Sequence, residues 1–239
     1  MGLRLTDLTD DQRHDEWARI IRRAADEHVG QAWSNHMFRL LRAIVTINPW
    51  LAEHGGFFAD WIVSRYVDST LMLLRRELDK QAGTECLLQL LYDMLENPTV
   101  VTRTRFVANW PADLRDLADE EFSKYAGGPG EHLSLDMINT DLERLKEAEA
   151  MRAHAEQTRA HRTPERAIDP GTMTFEELHK ALVTVRDVVN KYREVLGVGP
   201  LSQWQPVEQF SVIEPFLRPW IENTDQANEV RRLSKEDRP

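Results

Sequence analysis

Cysteine is nearly missing from this chain. Cys86 is the only one among 239 residues, so no disulfide can form within it, and the composition fits a reducing compartment. Long apolar runs are missing too: stretches such as 57–63 are cut by Asp60 and fall well short of the roughly 20 residues that a bilayer span needs. The opening MGLRLTDLTDDQ lacks the apolar segment of a secretory signal, so the expectation is a cytoplasmic protein with no membrane partner. There is no GxxxxGK, GxSxG, HExxH or CxxC, which removes the parts of a phosphate loop, a hydrolase elbow, a zincin and a zinc ribbon. Positive charge is in short supply, with 30 Lys and Arg against 40 Asp and Glu for a net charge of −10. That balance argues against wrapping duplex DNA, which depends on neutralising many phosphates, but it leaves room for a local basic site.

What is present is helical periodicity. Between Asp10 and Thr46 the apolar residues Trp17, Ile20, Ile21, Ala24, Ala25, Val29, Ala32, Trp33, Met37, Leu40, Leu41 and Ile44 recur at three and four, which predicts one long amphipathic helix or two. Asn48-Pro49 and Gly55-Gly56 interrupt it. A further helix is expected over 57–78, with Trp61, Val63, Val67, Leu71, Leu74 and Leu78 turned inward. Gly83-Thr84 then supplies a stop and an N-cap for a helix over 85–95, which Asn97-Pro98 ends.

The Val-, Thr- and Phe-rich stretch 99–111 reads as loop or short helix, although strand propensity fits about as well. Residues 111–125 read as a charged helix, and AGGPGEH at 126–132 as a turn. A second long helix is expected over 133–161, capped by Ser134, with Leu135, Ile138, Leu142, Leu145, Ala148 and Met151 inward. Thr174 with Glu177 forms a capping box for a last helix that Gly197 closes. The fold class is therefore all-α: an antiparallel helical bundle over 1–197, followed over 198–239 by an irregular Trp- and Pro-rich wrap with one short helix and a tail that frays beyond about Arg232.

Three patterns carry chemistry. Glu176-x-x-His179 has the spacing of a di-iron carboxylate half-site, but such a site needs a second pair and only Asp11 with His14 comes near, so no metal and no cofactor are expected. The stretch 151–166, MRAHAEQTRAHRTPER, holds four arginines and two histidines against two glutamates. His154 and His161 stand seven apart, on one side of a helix, with Arg152, Arg159 and Arg162 around them. Imidazole can take a proton from a ribose 2′-hydroxyl or give one to a leaving oxygen, while guanidinium stabilises the charge developing on phosphorus; the plainer reading is a solvated helix end. Finally, Asp68, Arg75 and Asp79 share a stripe beside the apolar face, as an ion-pair network or part of a site.

Taken together, WIVSRYVDSTLMLLRRELDK, TECLLQLLYDMLENP, TRAHR and PGTMTFEELHKALVTVRDVVNKYREVLG resemble the abortive-infection U-like branch of the HEPN superfamily over roughly 36–197. The resemblance implies a helical bundle that dimerises and cleaves RNA as a toxin or phage-defence effector, with a cognate antitoxin or other protein partner among the possibilities. It assigns His161 as the catalytic histidine of a motif in which an arginine precedes by four to six intervening residues. Positions 154 to 156 are His, Ala and Glu, so no arginine stands at that distance. Either His154 takes its place, or Arg75 or Arg152 brings the cation from elsewhere, or the protein is not a nuclease. On this reading His161 is the acid/base group, His154 and Arg159 surround the phosphate, Arg152 and Arg162 bind substrate, and Arg75 and Asp68 shape the site. The alternative is a non-catalytic helical module that binds RNA or protein.

Overall fold

The structure, a computed structural model, describes residues 8–155, 174–199, 213–217 and 223–236. The chain divides into two compact units, Met1–Gln205 and Pro206–Pro239. The described residues are helical with no strand, so the all-α expectation holds; the nearest thing to a sheet is a single antiparallel bridge between Thr102 and His132.

In the first unit, helix α1 runs unbroken over Asp10–Ile47, started by a capping box in which Thr9 and Gln12 satisfy each other's backbone N–H. Asn48 ends it and caps the short α2, Pro49–His54, by accepting from Leu51 N. Then come α3, Gly56–Glu77, and α4, Leu87–Glu96. The ambiguous stretch 99–111 resolves into a 3₁₀ turn at Pro98–Val100 and α5, Arg103–Ala108. After α6, Arg115–Ala126, the guanidinium of Arg103 fixes the AGGPGEH turn by donating to the carbonyls of Asp119, Gly128 and Gly130. The long helices α7, Leu135–Ala155, and α8, Phe175–Val195, complete the unit. Ser134 accepts from Met137 N at the start of α7, and Gly197, at φ +67°, ends α8 in the left-handed conformation that glycine tolerates.

Helices α1, α3, α7 and α8 form the bundle, and side-chain pairs fix their directions. Glu27 meets Arg76, Gln31 meets Thr70 and Asn35 meets Tyr66, so α1 and α3 are antiparallel. Asp141 meets Lys191 and Tyr192 while Glu147 meets Lys180, so α7 and α8 are antiparallel as well. Phe38 meets Phe175, and Asp26 acts on Arg193, which makes α1 and α8 antiparallel too. It follows that the C-terminal ends of α1 and α7 and the N-terminal ends of α3 and α8 share one end of the bundle. Between the helices lie Ile21, Leu71, Leu74, Leu90, Leu91, Ile138, Ala148, Val185, Val188 and Val189, each with 0 % exposure, and α4 closes the other end over Trp17.

Three expectations about faces fail: Trp61, Trp33 and Leu135, expected inward, are exposed at 53 %, 37 % and 46 %. Val67, Leu71 and Leu74 of the expected α3 stripe are buried, and Ile62, Tyr66, Thr70 and Leu73 join them in place of Trp61. Thr84 does not cap α4. Its N-cap is Cys86, which offers no side-chain bond, and the buried Glu77 carboxylate reaches over from α3 to accept from Leu87 N at 3.1 Å. In the second unit, a 3₁₀ turn at Glu214–Leu217 precedes α9, Thr224–Glu236, so the helix runs past Arg232 where fraying was expected. Among the described residues no helix is long and apolar enough to cross a membrane.

Candidate functional site at the α1–α8 seam

Of the residues singled out by sequence, Arg152 and His154 belong to the last turn of α7, but their side chains lie outside the described residues, as do Arg159, His161 and Arg162 altogether. Arg75 and Asp68 are described, both half-buried on α3. Asp68 pairs with Arg65 at 3.0 Å. Asp79 folds the loop after α3: its carboxylate accepts from Gln81 N, and its carbonyl accepts from Gln89 Nε2 and Cys86 Sγ. Among the described residues no ion pair joins Arg75 to either carboxylate, so the proposed Asp68–Arg75–Asp79 network does not form.

A different cationic cluster does form, where α1 lies against α8. The Thr174–Glu177 capping box sets the first turn of α8 and with it Phe175 and His179, one helical turn apart. Phe175 packs against Phe38, with ring centroids 5.4 Å apart, and Arg42 lies over the same ring at 5.8 Å. Burial, and then the guanidiniums of Arg39 and Arg186, hold the His179 imidazole below its ordinary pKa. Two turns further along α8, Arg186 bonds Asp187 at 3.0 Å and acts on His28 of α1. His28 is 2 % exposed, and burial first, with Arg186 and Arg76 behind it, pushes its pKa down to about 4.

The seam therefore carries two imidazoles that are neutral at pH 7, and its two exposed arginines, Arg39 and Arg42, have no carboxylate partner among the described residues. Such an arrangement holds an anion, and a neutral imidazole beside it can accept a proton. It does not suit a metal ion. His179, the one histidine with di-iron spacing, faces guanidiniums, and no three His, Cys, Asp or Glu among the described residues converge as metal ligands.

Sequence reasoning passed over Arg39, Arg42, Arg186, His28 and Phe175, because each falls within an ordinary amphipathic helix. A signal was nonetheless available: no Asp or Glu stands between Glu27 and Glu53, in a chain that carries 40 of them. Searches of family models, curated proteins and solved structures find nothing that matches this chain.

Proposed function

We propose that the protein is a metal-independent endoribonuclease of HEPN type, working as a homodimer, which grips the phosphodiester backbone of single-stranded RNA at the α1–α8 seam. The observation that carries this reading is the pair Arg39 and Arg42, free of carboxylate partners among the described residues of an acidic chain, with Arg39 acting on His179 and Arg42 over the Phe175 ring one turn away. Support also comes from chain order. The basic stretch that holds His154 and His161 connects α7 to α8, and both helix ends belong to the seam's end of the bundle.

In the proposed reaction His161 takes the proton of a ribose 2′-hydroxyl, the 2′-oxygen attacks the adjacent phosphorus, and the 5′-oxygen leaves with a proton from a second acid group. The products are a 2′,3′-cyclic phosphate and a 5′-hydroxyl. The arginines stabilise the charge that develops on the non-bridging oxygens. Purified protein is expected to cut single-stranded RNA in EDTA to these ends, and His161→Ala to lose the activity by at least about 100-fold, the scale of general acid–base catalysis. RNA left intact by the parent, or cut equally by His161→Ala, overturns the reading.

A second reading, a non-catalytic module for a protein partner such as an antitoxin, has its own support. Ile47, Trp50, Phe57 and Trp61 are exposed at 78, 65, 87 and 53 % around α2, a concentration of apolar surface typical of protein contacts. A stable complex with a protein partner, together with no cleavage of RNA, favours it.

A further inference from the structure

Beside the cationic seam, on the other side of α1, a groove of about 280 Å³ runs between α1 and α3. Phe38 and Leu41 form its floor, the half-exposed indole of Trp61 its wall, and Ser34, Ser69 and Arg65 its polar rim. Phe38, Leu41 and Ile62 also line a neighbouring pocket of about 80 Å³, which Arg42 lines as well. Phe38 thus links the two features: its ring lies tilted against Phe175 at the seam, with centroids 5.4 Å apart, and stacks on Tyr66 at 4.1 Å and 3° under the groove.

We infer that this groove receives one unpaired base of the RNA whose backbone lies on Arg39 and Arg42, an inference that rests on the function proposed above. Size and charge select this occupant. The volume lies just below the range of drug-sized ligand pockets and suits a single ring system rather than an extended ligand. An apolar, aromatic-walled slot with a guanidinium at its end fits a ligand that is flat and stackable in one part and anionic in the next, which is a nucleotide. An acidic amphipathic helix is the rival occupant, but the acid-free stretch from 28 to 52 and Arg42 offer it only one cationic flank, since Arg65 is already paired with Asp68.

The groove's hydrogen-bonding groups narrow the choice further. Ser34 Oγ donates to Gly30 O at 3.3 Å and Ser69 Oγ donates to Tyr66 O at 2.9 Å, and in these rotamers both hydroxyls offer acceptor lone pairs to a ligand. Such a rim accepts from the amino or imino N–H of a base.

The test is fluorescence anisotropy of the full-length protein with short single-stranded 2′-O-methyl RNA, which lacks the attacking hydroxyl and stays intact. Trp61→Ala removes the stacking wall and Ser69→Trp fills the slot; both positions are exposed, and circular dichroism confirms that each variant folds. Each is expected to weaken binding by about 5- to 150-fold, the range that loss of one base–aromatic stack produces. If the parent binds and both variants bind as tightly, the groove inference is overturned while the RNA reading stands. If the parent neither binds this RNA nor cuts natural RNA, both fall. If Ser69→Trp instead splits a dimer in sedimentation with RNA affinity unchanged, the groove is a contact between copies and the inference is overturned.

Discussion

Asp93→Ala is expected to lower the unfolding free energy of the bundle by about 3–5 kcal/mol, the cost of breaking a buried charge pair from one side. Asp93 is 2 % exposed at the middle of α4. Arg13 Nη1 approaches both of its carboxylate oxygens at 2.8 Å, and Trp17 Nε1 donates to Oδ2 at 2.8 Å. These bonds join α4 to the first turns of α1, residues 76 and 80 positions away in sequence. Truncation to alanine removes this carboxylate from a guanidinium whose side chain is only 13 % exposed, and from an indole whose residue is 1 % exposed. Urea unfolding followed by circular dichroism measures the change, and a loss below about 1 kcal/mol contradicts the assignment.

Glu77 and His28 are expected to give the protein opposite dependences of stability on pH within one window. Glu77 is 4 % exposed. Burial raises its pKa to about 7, the Leu87 N–H of α4 opposes that, Glu27 of α1 adds to it, and Arg76 of α3 and Arg23 of α1 oppose it. A carboxyl with a folded-state pKa above its unfolded value of 4.5 binds its proton more tightly when folded. Its contribution is therefore complete below about pH 4.5 and is lost as pH rises through about 7.

His28, lowered from 6.5 to about 4, behaves the other way: its contribution is complete above about pH 6.5 and is lost as pH falls through about 4. Each gap of about 2.5 units corresponds to about 3 kcal/mol. In the parent the two slopes largely cancel between about pH 4.5 and 6.5. Glu77→Gln leaves the histidine alone, so stability rises with pH across that window. His28→Gln leaves the carboxyl alone, so stability falls from about pH 4.5 toward 7. Urea midpoints measured across this range separate the variants, and profiles parallel to the parent's refute the pairing of opposed groups.

Much of the bundle was legible from local chemistry. Thr174 with Glu177, Asn48-Pro49 and Gly197 mark helix ends by bonds between residues no more than four apart, and those ends fall where such bonds require. What sequence did not reveal depends on partners far along the chain. The α4 cap comes from Glu77, ten residues upstream of Leu87, because Thr84 instead approaches Asp79. Trp61 carries enough apolar surface to be read as core, yet the phase of α3 is set by Ile62, Tyr66 and Thr70, which meet α1.

The candidate site divides in the same way. Histidines and arginines clustered within 151–166 are visible to a reader of sequence, whereas Arg39 of α1 and His179 of α8, some 140 positions apart, become neighbours only when the helices pack antiparallel. The stretch without acids between Glu27 and Glu53 hinted at it, since in so acidic a chain such a gap leaves Arg39 and Arg42 without an (i, i+4) carboxylate.

The claim that this seam grips an RNA backbone is tested most directly by the salt dependence of binding to short single-stranded 2′-O-methyl RNA, compared between the parent and the Arg39→Ala/Arg42→Ala double variant. Each phosphate contact on a single strand contributes about 0.7 to the slope of log K against log salt concentration. The account predicts weaker binding with a slope shallower by about 1.4. Equal affinity and an equal slope in the two proteins contradict it.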